Sequence, residues 1–248
     1  MCTISHAETF NQYWYVENNT PIQTTCETGG DITLPAAPTK YGYDFIGWEK
    51  LSYIRIEYLE STGTQYIDTG FKPNQNSGLD IDFFSIRPNS IPGMVSDDNI
   101  GYFFGVSVAS IYTEILVYNT NGDMNTQYCY ANGIYGHGTG KYKVHLRENS
   151  VNIIAEDGSS FKKTFEKTYY QISENFTLFE RNTIIKGVTS GHTVKIYSCK
   201  IYDNDILVRD FIPVLDLDGV PCMFDRVEGK FYYNAGTGQF VAGPVIGE

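Results

Sequence analysis

Close cysteine pairs are missing from this sequence: Cys2, Cys26, Cys129, Cys199 and Cys222 lie far apart, and no Cys-x-x-Cys occurs. Zinc ribbons and fingers need such pairs, because one tight turn must present two sulfurs to one ion, so that chemistry is excluded. The odd number leaves disulfide connectivity open, and buried free thiols acting as small hydrophobes are the simplest expectation. Long apolar runs are missing as well, and none approaches the ~20 residues of a membrane-spanning helix. The opening residues, Met1-Cys2-Thr3-Ile4-Ser5-His6-Ala7-Glu8, carry neither the basic region nor the apolar stretch of a secretion signal. Positive charge is scarce, with 18 Lys and Arg against 29 Asp and Glu, a net charge of −11. A surface of that sign repels phosphate backbones, so no nucleic-acid partner and no membrane insertion are expected. Helical periodicity is nearly absent too, and residues 162–172 are the one stretch with a helical look.

Aromatic and β-branched residues are what the chain has in quantity: 20 Tyr, 15 Phe and 2 Trp within a hydrophobic fraction of 42%. That material is enough to bury a core and excludes a disordered chain. It falls in short runs separated by Gly, Asn and Asp, which predict strands at 52–59, 65–68, 78–86, 102–108, 113–118, 141–146, 151–155, 176–180, 193–202, 206–213, 222–225, 230–233 and 240–242. Asp203-Asn204-Asp205 predicts a hairpin turn, since those side chains tolerate left-handed backbone, and Glu156-Asp157-Gly158 predicts another. Many short strands at such spacing read as an all-β sandwich or jelly roll. Three of the nine prolines and both tryptophans fall before Leu51, which places a domain boundary between residues 1–50 and 51–248.

The run Leu34-Pro35 followed by Gly42-Tyr43-Asp44-Phe45-Ile46-Gly47-Trp48 resembles the internalin-type B repeat, also called the Listeria–Bacteroides repeat. The resemblance implies a small β-grasp-like module, with Tyr43, Phe45 and the two glycines in one short strand packed on Trp48. The remainder carries Tyr58-Leu-Glu-Ser-Thr-Gly-Thr-Gln-Tyr-Ile-Asp-Thr-Gly70 at its start, and Leu178-Phe-Glu-Arg-Asn182 and Lys200-Ile-Tyr-Asp-Asn-Asp-Ile-Leu-Val-Arg-Asp-Phe-Ile-Pro213 further on. Gly229-Lys-Phe-Tyr-Tyr-Asn-Ala-Gly-Thr-Gly238 follows near its end. These segments are similar to concanavalin-A-like, laminin-G-like jelly-roll domains of gut bacteria and their phages. That likeness implies two packed antiparallel sheets whose terminal strands pair, and a role in recognition of glycans or surface proteins.

Glycoside hydrolases on this kind of sandwich need acids on alternate residues of one strand, close enough to act as a pair. Asp80-Ile81-Asp82 is the nearest approach, it lacks a third acid, and a solvated strand face explains it. His6, His137, His145 and His192 are isolated, and no Gly-x-Ser-x-Gly elbow exists to activate a serine. The glycine loops 136–140 and 236–238 precede no helix, so they lack the helix-terminus anion site. No enzyme activity and no cofactor are therefore expected. Calcium is conceivable in the oxygen-rich segments 97–99, 119–125 and 216–218, but turn chemistry accounts for them and no metal is assigned.

The most suggestive binding feature is a mixture of tyrosine and amide side chains, because sugar rings stack on aromatics while amides take the hydroxyls. Tyr112, Tyr118, Asn119, Asn121, Tyr128 and Tyr130 are the expected ligand-binding residues. The chain thus reads as a non-enzymatic recognition or adhesion module for a host-surface glycan or protein. One setting is a bacteriophage virion, as a fibre, tail or capsid-decoration protein among other virion proteins, which needs no secretion signal. The alternatives are a domain of a secreted bacterial adhesin and a structural spacer without ligand.

Overall fold

The structure is a computed structural model and describes residues 9–14, 22–27, 34–39, 41–42, 44–45, 47, 53–86, 90–97, 102–108, 115–121, 139–147, 149–164, 169–189 and 191–246. The chain divides into two compact units, Met1–Ser52 and Tyr53–Ile246.

In the first unit β1 (Thr9–Trp14) and β2 (Ile22–Glu27) form an antiparallel pair, with Thr9 opposite Glu27 and Trp14 opposite Ile22. Among the described residues of the short strand expected around Phe45, Asp44, Phe45 and Gly47 are not in a strand. Gly42 (φ 81°) and Gly47 (φ 138°) both adopt positive φ, which breaks an extended run at each end, and Phe45 is exposed. Tyr43 and Trp48 lie outside the described residues.

The second unit contains β3 (Ile54–Arg55), β4 (Leu59–Ser61), β5 (Ile67–Asp68), β6 (Ser77–Ser85), β7 (Gly93–Asp97), β8 (Tyr102–Val108), β9 (Ile115–Asn121), β10 (Gly140–Arg147), β11 (Ser150–Ala155), β12 (Ser160–Thr164), β13 (Thr177–Leu178), β14 (Arg181–Thr183), β15 (Gly187–Val188), β16 (Val194–Asp203), β17 (Ile206–Leu215), β18 (Pro221–Asp225), β19 (Lys230–Tyr232) and β20 (Val241–Ala242). They make two sheets. The larger runs β12-β11-β10-β6-β16-β17-β18-β19, with β4 on β16, β20 on β4 and β3 on β17. The smaller runs β15-β14-β7-β13-β5, extended by β8 and β9. Among the described residues the protein is all-β, and β14 on β7 is the one parallel pairing between strands.

Alternation explains why the two sheets share a core. On β6 Leu79, Ile81 and Phe83 point inward, as do Tyr142, Val144 and Leu146 on β10 and Val194, Ile196, Cys199 and Ile201 on β16. They meet Val95, Phe104, Val106 and Leu178 of the other sheet in one cluster, an arrangement consistent with a β-sandwich. A smaller apolar cluster of Ile212, Val214 and Cys222 lies beneath Tyr53, Phe224 and Phe231. Cys199 and Cys222 are free and buried; burial pushes both thiols up, Cys222 to about 12, so neither is a thiolate at neutral pH.

The β16–β17 hairpin turns on Asn204 (φ 49°) and Asp205 (φ 62°), both left-handed as the Asp-Asn-Asp segment predicts. The helical look of residues 162–172 is overturned at both ends. Ser160–Thr164 is an edge strand on β11, and Tyr170 and Ile172 are fully buried on either side of an exposed, bridging Gln171. That is a two-residue period, which belongs to extended chain.

The ends of the unit pair with each other. Val241 of β20 lies opposite Glu60 of β4, and an isolated bridge joins Ile56 to Val245. The segment after β19 is sewn to the β4–β5 loop: Ala235 N–H donates to Tyr66 O (2.9 Å), Thr237 N–H to Thr64 O (3.1 Å) and Thr64 Oγ1 to Thr237 O (2.8 Å). The two sequence segments 58–70 and 229–238 are therefore neighbours in space.

Candidate functional site

Those two segments wall a cleft of about 480 Å³ at one end of the second unit. Asp68 and Gly70 follow from β5, Asn175 precedes β13, Arg209 comes from β17, and Glu228, Lys230, Tyr232 and Tyr233 come from the β18–β19 turn and beyond. Gly70 adopts φ 66°, and its N–H donates to Asp68 Oδ1 at 2.9 Å, which folds the wall back on itself. Asn175 Nδ2 donates to the other Asp68 oxygen at 3.2 Å.

Arg209 forms the floor, its side chain 17% exposed. Its Nε donates to Thr69 O (3.2 Å) and its Nη1 to Val208 O (2.7 Å), while Glu228 Oε1 stands 2.8 Å from Nη1. Behind it the fully buried Asp225 places Oδ2 at 3.6 Å from Nε, an ion pair without a hydrogen bond. Nη2 has no hydrogen-bond partner among the described residues and faces Gly70, where a Cβ would come within 3.9 Å. The guanidinium is thus clamped along one edge and open along the other. A fork held this way is a pre-organised donor that loses little entropy on binding.

Tyr232 donates its hydroxyl to Glu228 Oε2 at 2.7 Å and stacks edge-on against Phe211 at 5.0 Å. Burial, then the bond to Glu228, push its phenol up to about 12. Burial and Asp216, which accepts from the Tyr233 hydroxyl at 2.9 Å, do the same for Tyr233, also to about 12. Both hydroxyls therefore remain donors at any physiological pH. Lys230 Nζ lies 5.0 Å over the Tyr232 ring. The lining carboxylates Asp68 and Glu228 balance Arg209 and Lys230, and the buried Asp225 stands behind the guanidinium, so the cleft suits a neutral hydroxyl-rich ring better than an anion.

Of the residues expected from sequence to bind ligand, Tyr112, Tyr128 and Tyr130 lie outside the described residues. Tyr118, Asn119 and Asn121 fall on β9, which pairs with β8 through Gly105, Phe104 and Tyr102. Among the described residues, none of those lining the cleft belongs to β9. Asp68, Gly70, Arg209 and the residues from Lys230 onward sit in the segments singled out in the sequence, whereas Asn175 and Glu228 lie just outside them; Asp68 next but one to Gly70, and a Lys-Phe-Tyr-Tyr-Asn run after a Gly turn, are the signals that point to them.

Asp80 and Asp82 do share the outer face of β6, as alternation requires. Asp80 accepts from Arg147 Nη2, lies 2.9 Å from His145 Nδ1, and accepts from the Tyr202 hydroxyl at 3.3 Å. Burial works to raise its carboxyl, but the hydrogen bonds from His145 and Arg147 and the Arg147 charge outweigh it and hold it below the usual range. Asp82 goes the other way: burial raises it against the pull of Lys141 and Lys143. Its Oδ1 is buried without a hydrogen bond, and Lys143 Nζ is 3.6 Å from Oδ2. Their strand neighbours include no third acid: Lys143 and His145 stand opposite them on β10, and Ser198 and Lys200 face them on β16.

Asp216 uses Oδ1 to accept from Asp218 N–H (3.0 Å) and Val220 N–H (2.8 Å), so the segment 216–218 is a turn whose carboxylate is already engaged. No family model matches the chain, and no curated protein matches it.

Proposed function

We propose that this protein is a non-enzymatic recognition module whose second unit, a jelly-roll sandwich of the concanavalin-A-like and laminin-G-like kind, holds a neutral sugar residue of a surface glycan in the Arg209–Tyr232 cleft. The observation that supports the reading most is the open Nη2 edge of a largely buried guanidinium clamped through Nε and Nη1, set among two carboxylates, an amide and an aromatic ring. Vicinal sugar hydroxyls need such a mixture: a fixed donor, acceptors with spare lone pairs, and a ring against which C–H groups pack. In the same proposal residues 1–50 are an accessory repeat of the internalin B type.

Isothermal titration calorimetry against neutral mono- and disaccharides found on a glycan array tests the cleft. Saturable binding weakened at least about tenfold by Asn175→Ala combined with Lys230→Ala is expected. A complete absence of glycan binding, or binding that these changes leave intact, refutes it. A virion surface and a bacterial cell surface are the two settings in which such a module would work, with the virion preferred. Mass spectrometry of purified phage particles finds the chain if that is right, and finds it only on uninfected cells if it is wrong.

A further inference from the structure

The outer face of the larger sheet contradicts the charge of the chain. β4, β6, β10 and β16 place Lys141, Lys143, Arg147, Lys195 and Lys200 there against Glu60, Asp80 and Asp82, a local excess of two cations on a protein with a net charge of −11. Register sets the arrangement. Phe84 of β6 stands opposite Lys141 on one side and Lys195 on the other, so a half-buried phenyl ring is flanked by two lysines about two strand spacings apart, ~9–10 Å.

Both lysines are held by aromatic faces. Lys141 Nζ lies 3.5 Å from the Tyr197 ring centroid and Lys195 Nζ 4.2 Å from that of Tyr58. A cation–π contact fixes an ammonium without neutralising it; Lys195 also pairs with Glu60 at 3.6 Å, whereas Lys141 makes no salt bridge among the described residues. Lys143 is exposed in the next row.

We propose that Phe84, Lys141 and Lys195, with Lys143 and Lys200 beside them, form a second binding surface that takes an acidic polysaccharide, a chain of uronic acid residues. The C–H face of a sugar ring packs on Phe84, and carboxylates on successive residues reach the lysines on either side. A polyphosphate would use the cations and leave the phenyl ring idle. This surface shares no residue with the Arg209–Tyr232 cleft, so either site stands if the other fails.

The test is affinity electrophoresis and calorimetry of the whole chain with polygalacturonate, its fully methyl-esterified form, and polyphosphate of equal charge. Polygalacturonate is expected to bind, to lose affinity as salt rises through the range where the Debye length shrinks below ~10 Å, and to lose it on esterification. Lys143→Glu with Lys200→Glu is expected to weaken binding at least about tenfold, and Phe84→Ser about fivefold or more. Asp82→Asn removes an opposing charge and is expected to tighten binding two- to threefold, an outcome that misfolding does not mimic. Equal binding of the esterified polymer, tighter binding of polyphosphate, no binding at all, or an Asp82→Asn variant that binds more weakly overturns the proposal.

Discussion

Removing the Glu180 carboxylate is the sharpest probe of what holds the second unit together. Glu180 is fully buried, just after Phe179, a bulky core residue held at φ 72°. One oxygen accepts from His192 N–H at 3.2 Å, and the other meets His192 Nδ1 and the Thr189 hydroxyl, the latter at 3.4 Å. His192 in turn anchors the β4–β5 loop, since its carbonyl accepts from Ser61 Oγ at 3.3 Å and the adjacent Gly191 N–H donates to Gly63 O at 2.6 Å. In Glu180→Ala the His192 N–H and imidazole lose their partner beside a fully buried position, while the Thr189 hydroxyl keeps Arg181 O at 3.2 Å, and breaking a buried pair of this kind costs about 3–5 kcal/mol. For a domain of this size each kcal/mol lowers Tm by about 2–4 °C, so a fall of about 6–20 °C is expected in calorimetry or by circular dichroism. Glu180→Gln keeps the shape and one acceptor for the backbone N–H, and costs about 1–2 kcal/mol. Simultaneous loss of the His192 side chain removes the imidazole partner and leaves its backbone N–H, so the double-mutant cycle returns a coupling above about 1 kcal/mol. A Glu180→Ala variant melting within 2 °C of the parent refutes the reasoning.

The two outer-face aspartates give opposite pH responses. Asp80 is held low when folded, so its contribution is complete above the unfolded carboxylate range and fades as pH falls through its folded value; Asp82 is held high, so its penalty, felt near neutral pH, disappears on acidification. Urea midpoints between pH 3 and 7 should show Asp80→Asn destabilising by about 1.5–3 kcal/mol at pH 7, and Asp82→Asn neutral or stabilising there. Equal losses for both would contradict the assignment. At the β16–β17 turn, Asn204→Val forces a β-branched residue into φ 49° and lowers stability by about 1–2 kcal/mol in chemical denaturation, whereas Asp205→Gly is neutral or better. Gly236→Ala drives a Cβ into the Thr64 carbonyl oxygen, and a loss of about 1–3 kcal/mol with weakened cleft binding is expected by melting and calorimetry. A Gly236→Ala protein as stable as the parent would mean that this crossing is looser than described.

Long alternating strands were legible because one face of each must be buried. On β6 the sequence Leu-Asp-Ile-Asp-Phe assigns its own inside and outside, and Tyr102–Val108 has the same bounds in sequence and structure. β7 was not legible. Gly93-Met-Val-Ser-Asp is buried on both sides, so it carries no alternation, and its serine and aspartate imitate a turn. The two- and three-residue strands β14 and β15 are shorter than any periodicity can register, whereas β13 falls within the strand expected at 176–180. A helical look at 162–172 came from lysines near aromatics, a composition equally at home on an exposed edge strand such as β12.

The cleft escaped sequence reading for a different reason, which lies in the topology. Asp68 and Glu228 become neighbours only through the return of the chain after β19, where Ala235 and Thr237 bond to Tyr66 and Thr64 and Gly236 leaves no room for a side chain. Composition alone finds clusters within one segment, and a tyrosine-rich stretch will always outrank residues contributed one at a time by remote strands. The same topology makes closure of the chain ends and assembly of the cleft a single event, because the residues that sew the ends together are next to those that line it. Contacts of such large sequence separation carry a high loop-closure entropy and form only with the rest of the sandwich in place. Apart from the Tyr58 ring against Lys195, the Phe84 face depends instead on β6, β10 and β16, the central strands of the larger sheet, paired over almost their whole length. Stress that loosens the terminal strands therefore removes the cleft first and leaves the cationic face standing, which separates the two surfaces in stability as well as in chemistry.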